Sequence, residues 1–169
     1  MSANLTHVEH PFGPLFSDES RVLILGSFPS VRSRAVNFFY GHPQNRFWPM
    51  LAAVFDVPVP VTTEEKKILV LTHRLALWDV IASCDIAASS DASVRNAVPT
   101  DIRRITDHAP IIRVLTNGAL STKLYRRYLE PVTGIAPTPM PSTSPANAAC
   151  SWERLLDAWK KGLLDAGPG

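Results

Sequence analysis

Cysteine is scarce in this 169-residue chain: Cys84 and Cys150 are the only two. One pair cannot build a disulfide scaffold, no C-x-x-C offers a zinc or redox site, and a four-cysteine iron–sulfur cluster is excluded by arithmetic. Both thiols read as small, inert packing residues. Long apolar runs are also missing. The run around Val22 to Leu25 falls far short of the roughly 20 residues a membrane helix needs. The segment MSANLTHVEHPFGPLF lacks a basic start followed by an apolar core, so no signal peptide is expected. A soluble, cytoplasmic protein with no membrane partner is the expectation. Charge of one sign is lacking too: 17 Lys and Arg stand against 15 Asp and Glu, a formal net charge of +2. Lysine is rare, 5 against 12 arginines. The phosphate loop G-x-x-x-x-G-K-[ST], the dinucleotide fingerprint G-x-G-x-x-G and the hydrolase elbow G-x-S-x-G do not occur. His42, His73 and His108 are too scattered for zinc-ligand spacing, so no metal is expected.

What is present is a globular composition, 46% hydrophobic and 19% charged, with 15 prolines. The length suits one compact domain, 1–169. Val22 to Leu25 reads as a buried strand ended by Gly26-Ser27. Phe28 to Gln44 reads as a long loop, and a loop of that length in a small domain is usually functional. A helix is expected over Arg46 to Phe55, with Asn45 at or near its N-terminus. Thr62-Thr63-Glu64-Glu65 has capping-box spacing and opens a helix through about Arg74. Leu75 to Ile81 is a second strand holding Trp78 and Asp79, and Ser83 to Pro99 is small, polar and loop-like. A short helix over Asp101 to His108 precedes a third strand, Ile111 to Leu115, which ends at Thr116-Asn117-Gly118. A helix follows from about Ala119 to Leu129, then a turn, then a fourth strand over Ile135 to Met140 that Pro137 and Pro139 weaken. Pro141 to Asn147 is a second special loop. Trp152 to Leu164 is a closing helix with Trp152, Leu155, Leu156, Trp159 and Leu163 at helical spacing.

Strands alternating with helices predict an α/β fold with a parallel sheet covered on both faces. Ligands then bind beyond the carboxyl ends of the strands, where the loops after all four strands would meet. Phe38-Phe39-Tyr40 precedes Gly41-His42-Pro43-Gln44-Asn45-Arg46-Phe47-Trp48. Aromatic rings stack on nucleobases, and amides bond base edges or hold a water. Pro141-Ser142-Thr143-Ser144-Pro145-Ala146-Asn147 offers hydroxyls and backbone N–H groups to phosphate oxygens. Arg32 and Arg34 flank the first loop, and a guanidinium grips phosphate bidentately. Asn45 could equally be a plain helix cap, Asp79 a turn residue, and His42 a turn element. Phe47 and Trp48 fit the core better than a stacking surface. Asn117-Gly118 is most simply a strand-to-helix turn, and Lys123, Arg126 and Arg127 a solvated helix face.

Gly26-Ser27-Phe28-Pro29-Ser30, the Tyr40 to Trp48 string, Leu77-Trp78-Asp79-Val80-Ile81-Ala82-Ser83-Cys84 and Pro141 to Asn147 resemble, in order, the hypoxanthine-DNA glycosylase branch of the uracil-DNA glycosylase superfamily. The H-P-x-N-R-F-W string is also shared with the mismatch-specific uracil glycosylases. The resemblance implies a three-layer α/β/α sandwich with a central four-stranded parallel sheet, and excision of a deaminated base from DNA with no metal or organic cofactor. Where most of the superfamily carries an Asp or Asn before the first-loop Pro, this chain has Phe28, which cannot polarise water. The catalytic amide falls instead on Asn45, which would orient the attacking water. The base pocket implied is Phe28, Phe39, Tyr40, His42, Trp78 and Asp79. The phosphate contacts implied are Ser27, Ser30, Arg32, Ser142, Thr143, Ser144 and Asn147. Ala146 is too small for the apolar wedge that relatives push into the duplex. DNA is the expected partner of a monomer, and hypoxanthine the expected base, ahead of uracil. Two other readings compete: a nucleic-acid-binding module that has lost catalysis, motivated by Phe28, and a small-molecule hydrolase using Ser27 or Ser144.

Overall fold

The structure is a computed structural model that describes residues 5–87 and 94–164. In chain order its elements are β1 (Leu5–Glu9), β2 (Val22–Gly26), α1 (Val31–Val36), α2 (Phe47–Phe55), α3 (Thr63–Thr72), β3 (Leu75–Asp79), β4 (Ile81–Ala87), β5 (Val94–Pro99), α4 (Arg103–Thr106), β6 (Arg113–Asn117), α5 (Ala119–Tyr128), α6 (Glu130–Thr133), β7 (Pro137–Met140) and α7 (Trp152–Leu164).

The expected parallel sheet is there, with strand order β3-β2-β6-β7. Val22 to Gly26 and Leu75 to Asp79 are buried throughout, which is why Val22 to Leu25 and Leu75 to Trp78 read as unbroken apolar runs. Strand β7 tolerates Pro137 and Pro139 because it is an edge strand, paired only with β6, so the missing N–H groups interrupt no ladder on the outer side. Side-chain alternation along a strand shows how the sheet is covered. Leu115 faces α7, whose Gly162 lies so close that a Cβ there would come within 2.8 Å of Met140 Cε. The next residue, Thr116, faces α5, where its hydroxyl bonds that of Thr122 at 2.6 Å. Helix α2 joins α7 through the edge of Phe47 against Trp159. The result is helix, sheet, helix.

Several stretches depart from expectation, among them the third strand, which runs Arg113–Asn117 rather than Ile111 to Leu115, and the turn after α5, which holds α6. Ser83 to Pro99 is not a loop as a whole: Ile81–Ala87 and Val94–Pro99 pair antiparallel, and with β1 they form a second sheet of order β1-β4-β5. Register shifts on either side of Ser83 break the alternation of buried positions, so the sequence loses the period that marks a strand. The second strand ends at Asp79 rather than Ile81. Val80 alone links it to β4, with the Val80 N–H bonded to Gly26 O at 2.8 Å and the Ile81 N–H to Ser27 O at 3.0 Å. The long first loop contains α1, capped by Ser30, whose side chain accepts the Ser33 N–H. Helix α3 carries the expected capping box between Thr62 and Glu65.

Candidate active site

The strand order reverses direction between β2 and β6, and at that point the loops after neighbouring strands diverge and open a crevice. A cavity of about 170 Å³ lies there, lined by residues from five separate segments: Gly26 to Ser30 with Ser33, Phe39 and Tyr40 with Asn45, Asp79, Asn117, and Ser142 to Ser144. An enclosed space of ~150 Å³ accommodates one benzene ring, so the volume suits a single base rather than a dinucleotide.

Aromatic residues build the walls. Phe28 is 8% exposed, and Arg34 sits over its ring at 5.4 Å while donating to Pro29 O. Phe39 is buried in a cluster with Phe12, Phe38 and His10. Tyr40 stacks on Phe47 with ring centroids 4.0 Å apart, and its backbone takes a positive φ of 53°, a conformation that surroundings must impose on a bulky residue. Its buried hydroxyl lies near the Asn117 side chain but makes no hydrogen bond of full geometry among the described residues. Burial pushes this phenol well above its ordinary pKa, and the Asp79 carboxylate adds to the shift. The group therefore remains an O–H donor throughout the physiological range.

Polar groups converge on the same space. The Asn45 side-chain oxygen accepts the Phe47 N–H, the first of α2, at 2.9 Å from the position just before the N-cap residue Arg46, so Asn45 braces the helix start as an Asx turn does, while also lining the cavity. Asn117 and Thr143 lock together through two bonds of 3.0 Å, one from each backbone or side-chain donor. Asp79 ends β3 where β4 begins, and one carboxylate oxygen takes a 2.7 Å bond from His10. Its other oxygen lies against Gly26, where any Cβ would overlap it; only glycine lets the strand end approach this closely.

The two special loops are joined by Arg46. Its N–H bonds Thr143 O at 3.0 Å, and its guanidinium donates to Cys150 O at 2.7 Å and Asn147 O at 3.1 Å. Arg46→Ala removes both guanidinium bonds and takes from Cys150 O its Arg46 donor, while Asn147 O keeps the Cys150 N–H at 3.2 Å, a loss of about 2 kcal/mol for charge-assisted bonds. We expect the melting temperature to fall by roughly 4–8 °C in a thermal melt, with no recovery in Arg46→Lys, whose single ammonium cannot span both acceptors.

The other residues singled out from sequence fall into two groups. Ser27, Ser30, Ser142, Thr143 and Ser144 line the cavity. Ser142 and Ser144 accept backbone N–H bonds within their own loop, which fixes their oxygens and leaves each O–H to turn outward. Asn147 lies beside the cavity in an adjoining open groove and donates to Ser142 O. His42 is not brought to the cavity. Its ring accepts the Gln44 N–H and its carbonyl the Asn45 N–H, so it shapes the turn that presents Asn45. Trp78 is not brought there either. Adjacent strand residues point to opposite faces, and with Asp79 turned inward Trp78 packs beneath Arg104, 5.2 Å from its ring. Arg32 lies in α1, and its side chain is outside the described residues. Phe47 and Trp48 belong to the core. Sequence reasoning missed His10, whose partner is 69 residues away, and took Asn117 for a turn. Among the described residues, no three His, Cys, Asp or Glu side chains cluster to hold a metal ion. Among the described residues no histidine bonds a serine hydroxyl, so neither Ser27 nor Ser144 is paired with an imidazole base.

Residues 14–165 match the model of the uracil DNA glycosylase superfamily. The chain belongs to that superfamily. Two curated relatives are each named hypoxanthine DNA glycosylase. One, from Methanosarcina acetivorans, is 27% identical over 148 residues, covering 87% of this chain and 93% of the relative. The other, from Methanosarcina barkeri, is 28% identical over 112 residues, covering 65% and 71%. The fold of this superfamily member also matches the solution NMR structure of a candidate uracil DNA glycosylase from Methanosarcina acetivorans. The TM-score is 0.81 at 24% identity, over 95% of this chain and 99% of that one.

Proposed function

We propose that the protein is a monofunctional DNA glycosylase that takes a deaminated base, hypoxanthine foremost, out of the duplex and hydrolyses its N-glycosidic bond, acting as a monomer in base excision repair. The observation that carries this reading is the base-sized cavity at the strand ends, with aromatic walls and with Asn45, Asp79, Asn117 and Tyr40 converging on it. A flipped base is recognised in this way, by ring faces around it and hydrogen bonds to its edge. Deamination of adenine or cytosine leaves a carbonyl beside a ring N–H. The Asp79 carboxylate can accept that N–H, and the Tyr40 hydroxyl and Asn117 amide can donate to the carbonyl.

In the reaction, water oxygen bonds to C1′ as the C1′–N bond breaks. The electron pair leaves with the base, and a proton of the water ends on it. Asn45 has two oxygen lone pairs. The Phe47 N–H occupies one and fixes the amide, and the other is free to orient the water. A neutral amide is a weak base, so the rate comes mainly from orientation and from donors placed where negative charge develops on the departing base. Ser27, Ser142 and Ser144 would hold the flanking phosphates. Among the described residues no lysine lines the cavity, so none is placed there for Schiff-base lyase chemistry.

Incubating the protein with duplexes that hold inosine, uracil, xanthine or ethenocytosine, followed by alkaline cleavage of abasic sites, tests this. Strand scission is expected with inosine and only after alkali. Salt-sensitive binding with no scission on any duplex would replace the reading with that of a binding module.

A further inference from the structure

His10 lies before the stretch that matches the superfamily, which begins at residue 14, yet it touches the residue that faces the base. We propose that His10 is a positioning residue that holds Asp79 as a pure hydrogen-bond acceptor, making the cavity selective for bases whose edge carries a ring N–H beside a carbonyl. This rests on the glycosylase reading and on Asp79 as the group that meets the base edge.

The geometry begins with strand register. Strand β1 runs antiparallel to β4 with Glu9 opposite Ser83, so His10 follows opposite Ala82, where its N–H bonds Ala82 O at 2.7 Å. That places its ring beside the end of β3. The ring is boxed by Phe12, Phe28 and Phe39 at centroid distances of 4.5, 5.9 and 6.3 Å. The His10 and Asp79 side chains are only 5% and 6% exposed. The two ring nitrogens have different partners. Nδ1 faces the Phe12 N–H at 3.4 Å, and Nε2 faces Asp79 Oδ2 at 2.7 Å. An N–H aimed at Nδ1 requires that nitrogen to be bare, so the ring proton sits on Nε2. His10 therefore donates to Oδ2, and a carboxyl proton at Oδ2 would set two donors against each other. Oδ1, lying against Gly26 at the cavity wall, is left to the base as an acceptor.

The consequence is selectivity by repulsion. Hypoxanthine presents N1–H to such an acceptor. Adenine presents a bare N1, lone pair against lone pair. Apolar residues of similar volume often pack as well as a buried ion pair, so packing among the aromatic neighbours does not by itself call for His10 and Asp79 at this place.

The test uses the full chain as wild type, His10→Gln and His10→Phe. Single-turnover base release is measured from duplexes holding deoxyinosine or deoxynebularine, a purine with bare N1 and no carbonyl, alongside thermal melts. His10→Gln keeps an N–H donor and should hold the inosine preference within about threefold of wild type. His10→Phe should lower it about tenfold or more, mainly through the chemical rate. A merely structural role would depress both substrates together, in step with stability. A folded His10→Phe with unchanged preference overturns the proposal. So does a wild-type ¹⁵N NMR spectrum showing the His10 proton on Nδ1, a measurement that decides the matter even where His10→Phe does not fold. Wild-type release of hypoxanthine with either result overturns this inference alone; no base release from any duplex overturns the glycosylase reading beneath it.

Discussion

Replacing Asn45 with Ala is expected to slow base release by on the order of 10²–10³-fold, the usual loss when one group aligned with the reacting centre is removed. Asn45 has two duties, and the experiment must separate them. Its side-chain oxygen holds the first N–H of α2, that of Phe47, and losing that bond costs ~1 kcal/mol of stability. A serine hydroxyl accepts the N–H two residues on in the same way, though more weakly, and has neither the reach nor the amide. Asn45→Ser should therefore melt close to wild type and remain nearly as slow as Asn45→Ala. Asn45→Asp keeps that bond and supplies a stronger base, so it should retain far more activity than either. Single-turnover rates on an inosine duplex, read beside thermal melts, distinguish catalysis from bracing of the helix start. Equal activity in Asn45→Ser and wild type would leave Asn45 as a brace alone.

The second large effect is expected at Asp79. Asparagine has the same shape, and its oxygen can still accept the His10 Nε2–H, so Asp79→Asn should fold normally. The atom turned toward Gly26 then becomes an N–H₂ donor, which opposes the N1–H of hypoxanthine rather than accepting it. Loss of one charge-assisted bond, roughly 1.5–3 kcal/mol, corresponds to a fall of about 10–100-fold in kcat/KM on inosine. The penalty should be smaller on deoxynebularine, whose bare nitrogen now has a donor to meet. An unchanged ratio between the two substrates would show that Asp79 does not meet the base edge.

Much of the frame is legible in the residues. Val22 to Leu25 and Leu75 to Trp78 are apolar because both faces of the sheet are covered, and the capping box at Thr62 and Glu65 marks α3. The convergence of the Gly26, Asn45, Asp79 and Ser142 segments also follows, because parallel strands place their carboxyl ends together. The rest is hidden for identifiable reasons. Bulges around Ser83 erase the period of β4. Trp78 and Asp79 cannot both face the cavity when they are neighbours on one strand, a constraint that the strand reading already contained. His42 resembles a site residue because it shapes the turn that presents one. His10 carries no local signal at all. Its place depends on the β1–β4 register and on a partner in another sheet, and no pattern within either segment records that pairing.

The central claim is that this cavity hydrolyses the bond between a deaminated base and its sugar. The most direct test is mass spectrometry of the products from an inosine duplex incubated with the protein in H₂¹⁸O. Free hypoxanthine should appear with an intact strand carrying one ¹⁸O at the abasic C1′, and Asn45→Ala should yield almost none of either. An untouched duplex, or a strand cut without free base, would contradict the account.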